Sequence, residues 1–297
     1  MPVKKSPAMP KPAAKRAAKP AAKAAAKPAA KAAAKPAAKP RATTTAGGGA
    51  APKRFTLPET MAALEKAGSA QTKKTYLRHG AKEPLFGVLF ATLKDLSKRI
   101  KVDHELACAL WETGNFDARN LAVKFADPAK LSEADLDHWA RGYGARMCSA
   151  YVAALACEGP HGLSRAKAWL VSADGEQRTT GWTLVGALAM RDTTVPDAWF
   201  LDRLATIEKT IHAVPNGERG TMNQTLISIG CRNAALRKAA LAVAKRIGPV
   251  EVDHGDTACK TPDAREYVEK AWAHSTSKGF ESPAAHERSR ESMRLRC

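Results

Sequence analysis

Residues 252–261, Val-Asp-His-Gly-Asp-Thr-Ala-Cys-Lys-Thr, gather Asp253, His254, Asp256 and Cys259 into one short stretch. These side-chain types ligate zinc. The plainer reading is a loop in which Asp256 or Thr257 makes turn bonds and Thr261-Pro262 starts a helix, and no metal is assigned. His104-Glu105 opens like a metalloprotease motif but lacks the second His. A phosphate-cradling Gly-rich loop and a G-x-S-x-G elbow are both missing. The six Cys (108, 148, 157, 231, 259, 297) contain no C-x-x-C pair and mostly sit among apolar residues, as small core hydrophobes in a reducing compartment do. No motif here demands a cofactor.

Other side chains suit a ligand without chemistry. Six Trp (111, 139, 169, 182, 199, 272) lie on or beside apolar stripes. Core packing is the default for each, while one or two lining a groove would suit a nucleic acid, because an indole face stacks on bases. Cations cluster at Lys73, Lys74 and Arg78; at Arg141 and Arg146; at Arg165, Lys167 and Arg178; and at Arg232, Arg237, Lys238, Lys245 and Arg246. On one helix such a cluster is a solvated face. In a stack of helical repeats, successive clusters merge into one track.

The elements that must position these groups are helical. Apolar residues recur at i, i+3/i+4 in Leu106/Leu110, Leu136/Trp139/Tyr143, Met147/Tyr151/Leu155, Trp182/Val185/Ala189, Leu204/Ile207/Ile211 and Leu236/Val243/Ile247. Thr56-Leu-Pro-Glu59 reads as a capping box. Breaks fall at Gly114-Asn115, Asp127-Pro128, Gly159-Pro160, Val195-Pro196, Pro215-Asn216-Gly217 and Gly248-Pro249. Residues 55–276 therefore read as about twelve short helices, all-α, paired at roughly 35–40 residues, the period of a helical-repeat solenoid. A compact orthogonal bundle is the alternative.

The termini differ from this middle. Of the 48 Lys and Arg, residues 1–54 hold fourteen and no acid, leaving 34 against 29 Asp and Glu beyond. Lys recurs every fourth residue from 11 to 39, interrupted by Pro20, Pro28, Pro36 and Pro40. Prolines that break helices, with almost nothing to bury, predict a disordered polycationic tail. Residues 277–297 are polar and predict a second loose tail. No apolar run reaches the ~20 residues of a membrane span, and the basic N-terminus lacks the apolar core of a secretory signal. A cytoplasmic, nucleoid-associated and monomeric protein with phosphate as its partner is expected.

Phe86-Gly87-Val88, Leu93-Lys94-Asp95-Leu96, Leu110-Trp111, Asn115-Phe-Asp-Ala-Arg119-Asn-Leu-Ala122, Leu136-Asp-His-Trp139 and Gly181-Trp182 together resemble the bacterial DNA alkylation repair family of the AlkD type. The resemblance covers about residues 57–275 and leaves out the tail 1–54, which looks like that of a linker histone. It implies an all-α superhelix of HEAT-like repeats holding double-stranded DNA in a basic concave groove. Its active members are glycosylases releasing alkylated purines such as 7-methylguanine and 3-methyladenine. It implies DNA contacts at Trp139, Tyr143, Arg141, Arg146, Arg178 and Trp182; Arg119 lies in its motif, and Lys73 and Lys74 extend the basic track. The family's catalytic Asp, four residues after a Trp, falls on Tyr143. Asp135, one turn before Trp139, is the remaining acid on that helix. A Tyr holds no fixed negative charge at neutral pH. The primary expectation is thus a DNA-binding protein with weak or no base excision. The alternatives are an alkylpurine glycosylase with a displaced acid and a protein-binding helical scaffold.

Overall fold

Each predicted break but one separates two helices, and Pro215-Asn216-Gly217 starts one. The computed structural model describes residues 54–141 and 146–296, leaving out the side chains of 146–149. The basic tail and Tyr143 lie outside the described residues, which belong to one unit, Pro52–Cys297. They form fifteen helices and no strand: α1 (Leu57–Ala67), α2 (Ala70–Arg78), α3 (Phe90–Ile100), α4 (His104–Glu112), α5 (Phe116–Phe125), α6 (Glu133–Trp139), α7 (Arg146–Glu158), α8 (Gly162–Leu170), α9 (Gly175–Arg191), α10 (Asp197–Thr210), α11 (Asn216–Gly230), α12 (Ala234–Ile247), α13 (Ala264–Ser277), α14 (Pro283–Arg288) and α15 (Met293–Arg296). Among the described residues, no helix is long and apolar enough to cross a membrane.

Local chemistry starts these helices. Thr56 and Glu59 form the reciprocal capping box before α1. The side chains of Asn115, Asp174, Asn233 and Asp263 cap α5, α9, α12 and α13 by accepting from first-turn N–H groups. Gly87 has φ +80°, and a Cβ there would lie 2.4 Å from the backbone N of Lys73, so only glycine lets this loop cross α2. The loop is held by the buried Asp117 carboxylate, which accepts from the N–H groups of Phe86, Gly87 and Val88 at 2.6, 3.0 and 2.9 Å.

Alternation of helices builds two layers. The odd-numbered helices from α3 to α13 pack each on the next, and α6 packs on α8 and α10 on α12. Each pair α4/α5, α6/α7, α8/α9, α10/α11 and α12/α13 closes one repeat. Bonds between neighbouring repeats preserve the period: Arg141 to Gln177, Arg178 to Glu218, Thr225 to the carbonyl of Trp182 and Trp272 to that of Gly230 join residues 36 to 43 positions apart. This is the HEAT-like repeat fold.

The C-terminal segment corrects the expectation of a second loose tail. After α13 the chain turns back along the C-terminal ends of the odd helices and binds them in succession. The N–H of Ala284 donates to the carbonyl of Cys231 after α11 (3.1 Å). Arg191, ending α9, donates to Glu287 (3.1 Å), and Arg288 donates to the carbonyl of Met190 (3.4 Å). Arg294, 5% exposed, pairs with Glu158 at the end of α7 (2.8 Å) and donates to the carbonyls of Val123, Lys124 and Ala126 at the end of α5. Lys94 of α3 donates to the carbonyl of Arg296 (2.7 Å). Helix C-termini leave carbonyls unpaired and carry partial negative charge. A row of arginines is therefore what this edge calls for, and their polarity made the segment look like a tail.

Candidate nucleic-acid interface

Because the C-terminal segment forms a strap over the C-terminal ends of α5, α7, α9, α11 and α13, their N-termini lie along the opposite edge. That edge carries the positive ends of the helix dipoles, the attractive side for phosphate. Arg141, Arg178 and Trp182 belong to it, but the structure spends most of the expected DNA contacts internally.

Trp139 is 2% exposed and stacks on Trp111 with centroids 4.4 Å apart and planes 8° from parallel. Arg119 lies over Trp111 at 5.1 Å and donates from Nε to its backbone carbonyl (3.1 Å). Trp182 is buried, and its Nε1 donates to Glu218 Oε1 (3.2 Å). Arg178 donates from Nε to Glu218 Oε2 (3.1 Å) and from Nη1 to the carbonyls of Ser172 and Ala173. Both indole faces are thus core surface, which corrects the expectation that Trp139 and Trp182 present them to a nucleotide. Five of the six Trp are buried; Trp199 is half-buried. Arg232, expected on the basic track, instead fills the C-terminal end of α9, donating to the carbonyls of Leu188, Ala189, Asp192 and Val195.

Asp135 closes a capping box, its carboxylate accepting from the Ser132 N–H (2.9 Å) and Oγ (2.6 Å). The Ser132 hydrogen bonds hold its carboxyl below the usual carboxylate range. Its carboxylate is committed to starting α6. Arg141, exposed, remains at the edge, where its Nη2 donates to Gln177 Oε1 (3.2 Å), and Lys74 of α2 is exposed. Lys73 pairs with Glu83 at 2.8 Å across a largely exposed surface. Arg146 opens α7, with its side chain outside the described residues.

Sequence reasoning missed the carboxylates that organise this edge. Glu218, in the first turn of α11, is 6% exposed and takes both Arg178 and Trp182. Asp137 takes Arg165 Nη1 (2.8 Å) and Trp169 Nε1 (2.6 Å) in the same way. The readable signal was the recurrence of Arg-x-x-x-Trp at 165–169 and 178–182, one helical turn that lets a guanidinium and an indole N–H meet one acid. Among the described residues no group of three or more His, Cys, Asp and Glu is placed to hold a metal. In the 252–261 stretch, Thr257 makes the turn bonds, donating from N to the Gly255 carbonyl and from Oγ1 to that of His254.

A family model described as "DNA alkylation repair enzyme" matches residues 60–268. The chain belongs to the DNA alkylation repair enzyme family. An uncharacterized protein of Listeria monocytogenes is 28% identical over 214 residues, covering 70% of this chain and 93% of its own, and one of Listeria innocua matches equally. A solved structure, of a new family of proteins related to the HEAT-like repeat DNA glycosylases with affinity for branched DNA structures, is similar with a TM-score of 0.68 and 32% identity. The match covers 76% of this chain and 96% of that one.

Proposed function

We propose that this protein binds DNA as a monomer through phosphates along the N-terminal edge of the odd helices, with slow or no excision of alkylated purines. One observation carries the reading: Glu218 and Asp137, the carboxylates beside Trp182 and Trp169, are each neutralised by an arginine and an indole N–H. Cleaving an N-glycosidic bond builds positive charge on the sugar, and a site for it must present a preorganised negative group. Carboxylates locked in ion pairs are poor candidates, and by the family resemblance the catalytic acid falls on Tyr143. Phosphate binding needs only cations and helix N-termini, which this edge has. The affinity of the similar solved protein's family for branched DNA makes a four-way junction the natural companion to plain duplex.

The test is release of 7-methylguanine from methylated duplex, run beside binding to duplex and junction. Binding with release no faster than the spontaneous rate is expected. The variant Tyr143→Asp should raise release while leaving affinity within about threefold. Brisk release by the unaltered protein would favour the glycosylase reading, which the family description supports, and would place the catalytic acid elsewhere.

A further inference from the structure

A cleft of about 420 Å³ opens where the end of α2 meets the loop between α12 and α13, over the first residue of α5. The first helices and the last inter-helix loop of the repeat array therefore share one concavity. Its volume falls in the range of small-molecule sites. Tyr76, half-buried, supplies the aromatic surface, its ring backed edge to face at 5.6 Å by the buried Phe116. Tyr76 Oη donates to the Val88 carbonyl (2.8 Å), which fixes the ring. Its phenol is pushed up to about 12, chiefly by burial and then by Asp117, and so stays neutral.

The rim is polar, with one guanidinium, Arg78, on one side and one carboxylate, Asp253, on the other. Arg78 and His79 are exposed, and Arg78 forms no ion pair with a described residue. The facing wall is held in place: Asn216 of α11 donates from Nδ2 to the Asp253 carbonyl (2.6 Å) and accepts from the Asp253 N–H (2.8 Å). The Asp253 carboxylate accepts from the Gly255 N–H (2.8 Å), and His254 Nε2 contacts Thr261 Oγ1 (3.0 Å). A tyrosine ring at the floor, a guanidinium at the lip with no ion pair among the described residues and a braced wall suit a flat ring that carries a phosphate.

We infer that this cleft receives a single unpaired nucleobase of a bound DNA strand, with the adjoining phosphate against Arg78. The inference rests on the DNA-binding reading above and names where that reading would find selectivity for unpaired DNA. An aromatic platform accepts any base, because each base has a π-face, so the cleft recognises the unpaired state rather than a sequence. A base held in a duplex must leave its stack to enter, whereas a bulged or branch-point base has little or nothing to give up.

The experiment uses the full chain and two duplexes, one with a single bulged 2-aminopurine and one with the same base paired. The bulged duplex should bind roughly tenfold tighter, the factor one stacked base supplies, and its emission should fall as binding saturates. Cys259 lines the cleft and is exposed, so Cys259→Glu places a carboxylate there without disturbing the core. It should reduce the bulged-to-paired ratio to about one and abolish the emission change. Equal affinity for the two duplexes, or a Cys259→Glu protein that keeps the ratio, would overturn the cleft while leaving DNA binding intact. Failure to bind either duplex would overturn both readings.

Discussion

Arg178 and Trp182, like Arg165 and Trp169, turn a carboxylate into a structural knot, and that knot has a measurable strength. Glu218→Gln keeps an oxygen for Trp182 Nε1 but removes the charge that Arg178 pairs with. Charge-assisted hydrogen bonds are each worth about 1.5–3 kcal/mol, and Arg178 remains partly solvated, so a loss of roughly 1–3 kcal/mol is expected in thermal or urea unfolding. An unchanged midpoint would mean that the pair is absent in solution. The thiols give a second check at this scale. Burial pushes Cys157 and Cys231 up to about 12, while Cys259 is exposed. The thiolate is the reactive species. Peptide mapping after alkylation of the native protein at pH 7–9 should find Cys259 modified, and Cys157 and Cys231 protected until the protein unfolds. What sequence could not show here is the partner of each polar atom. Core packing is the default for Trp139 and Trp182, and only the family resemblance implies DNA contacts there. Only the stack on Trp111 and the bond to Glu218 decide between them.

The helices themselves were legible because Gly, Pro and capping residues act within a few positions. The capping box at Thr56 and the breaks at Gly114-Asn115 and Gly248-Pro249 each need only neighbours along the chain. The strap was illegible for the opposite reason. Arg294 is satisfied by carbonyls about 170 positions away, and Arg232 by carbonyls about 40 away. No composition rule separates such an arginine from a solvated one. Both make the same contact, a guanidinium closing the C-terminal turn of an odd helix, so the fold uses one solution twice. Arg294→Ala would leave the α5 carbonyls and the Glu158 carboxylate without their partner, at a cost of about 3 kcal/mol. Arg294→Lys should recover little of this, because an ammonium lacks the planar fork that reaches several acceptors at once. Removing residues 280–297 should lower the melting temperature further, as seen by circular dichroism at 222 nm. A truncated protein melting like the full chain would show that the strap does not hold the array.

Over the whole molecule, charge is divided more sharply than structure. Residues 55–297 carry a net of only +5, and ion pairs such as Arg246 with Glu208 between repeats and Arg237 with Glu269 within one absorb several of their cations. The remaining excess sits in residues 1–54, with fourteen basic side chains and no acid. The two parts should therefore contribute differently to DNA binding. The helical edge offers fixed cations and helix dipoles at a few phosphates, which sets geometry. The tail offers many positive charges and no acid, which sets affinity and salt dependence. Releasing counterions gives a slope of about −0.9 in log K against log salt for each phosphate neutralised, so fourteen cations limit the tail's share to about −12. Incomplete contact should make the real share much smaller. Deleting residues 1–54 should weaken binding to every DNA at low salt and flatten the slope, while the ratio of affinities for junction and duplex stays unchanged. Titrations of both proteins against both DNAs at 50–300 mM salt measure slope and ratio together. A slope unaltered by the deletion would show that the tail does not touch DNA. A junction preference lost with the tail would move selectivity from the helical edge to the polycation.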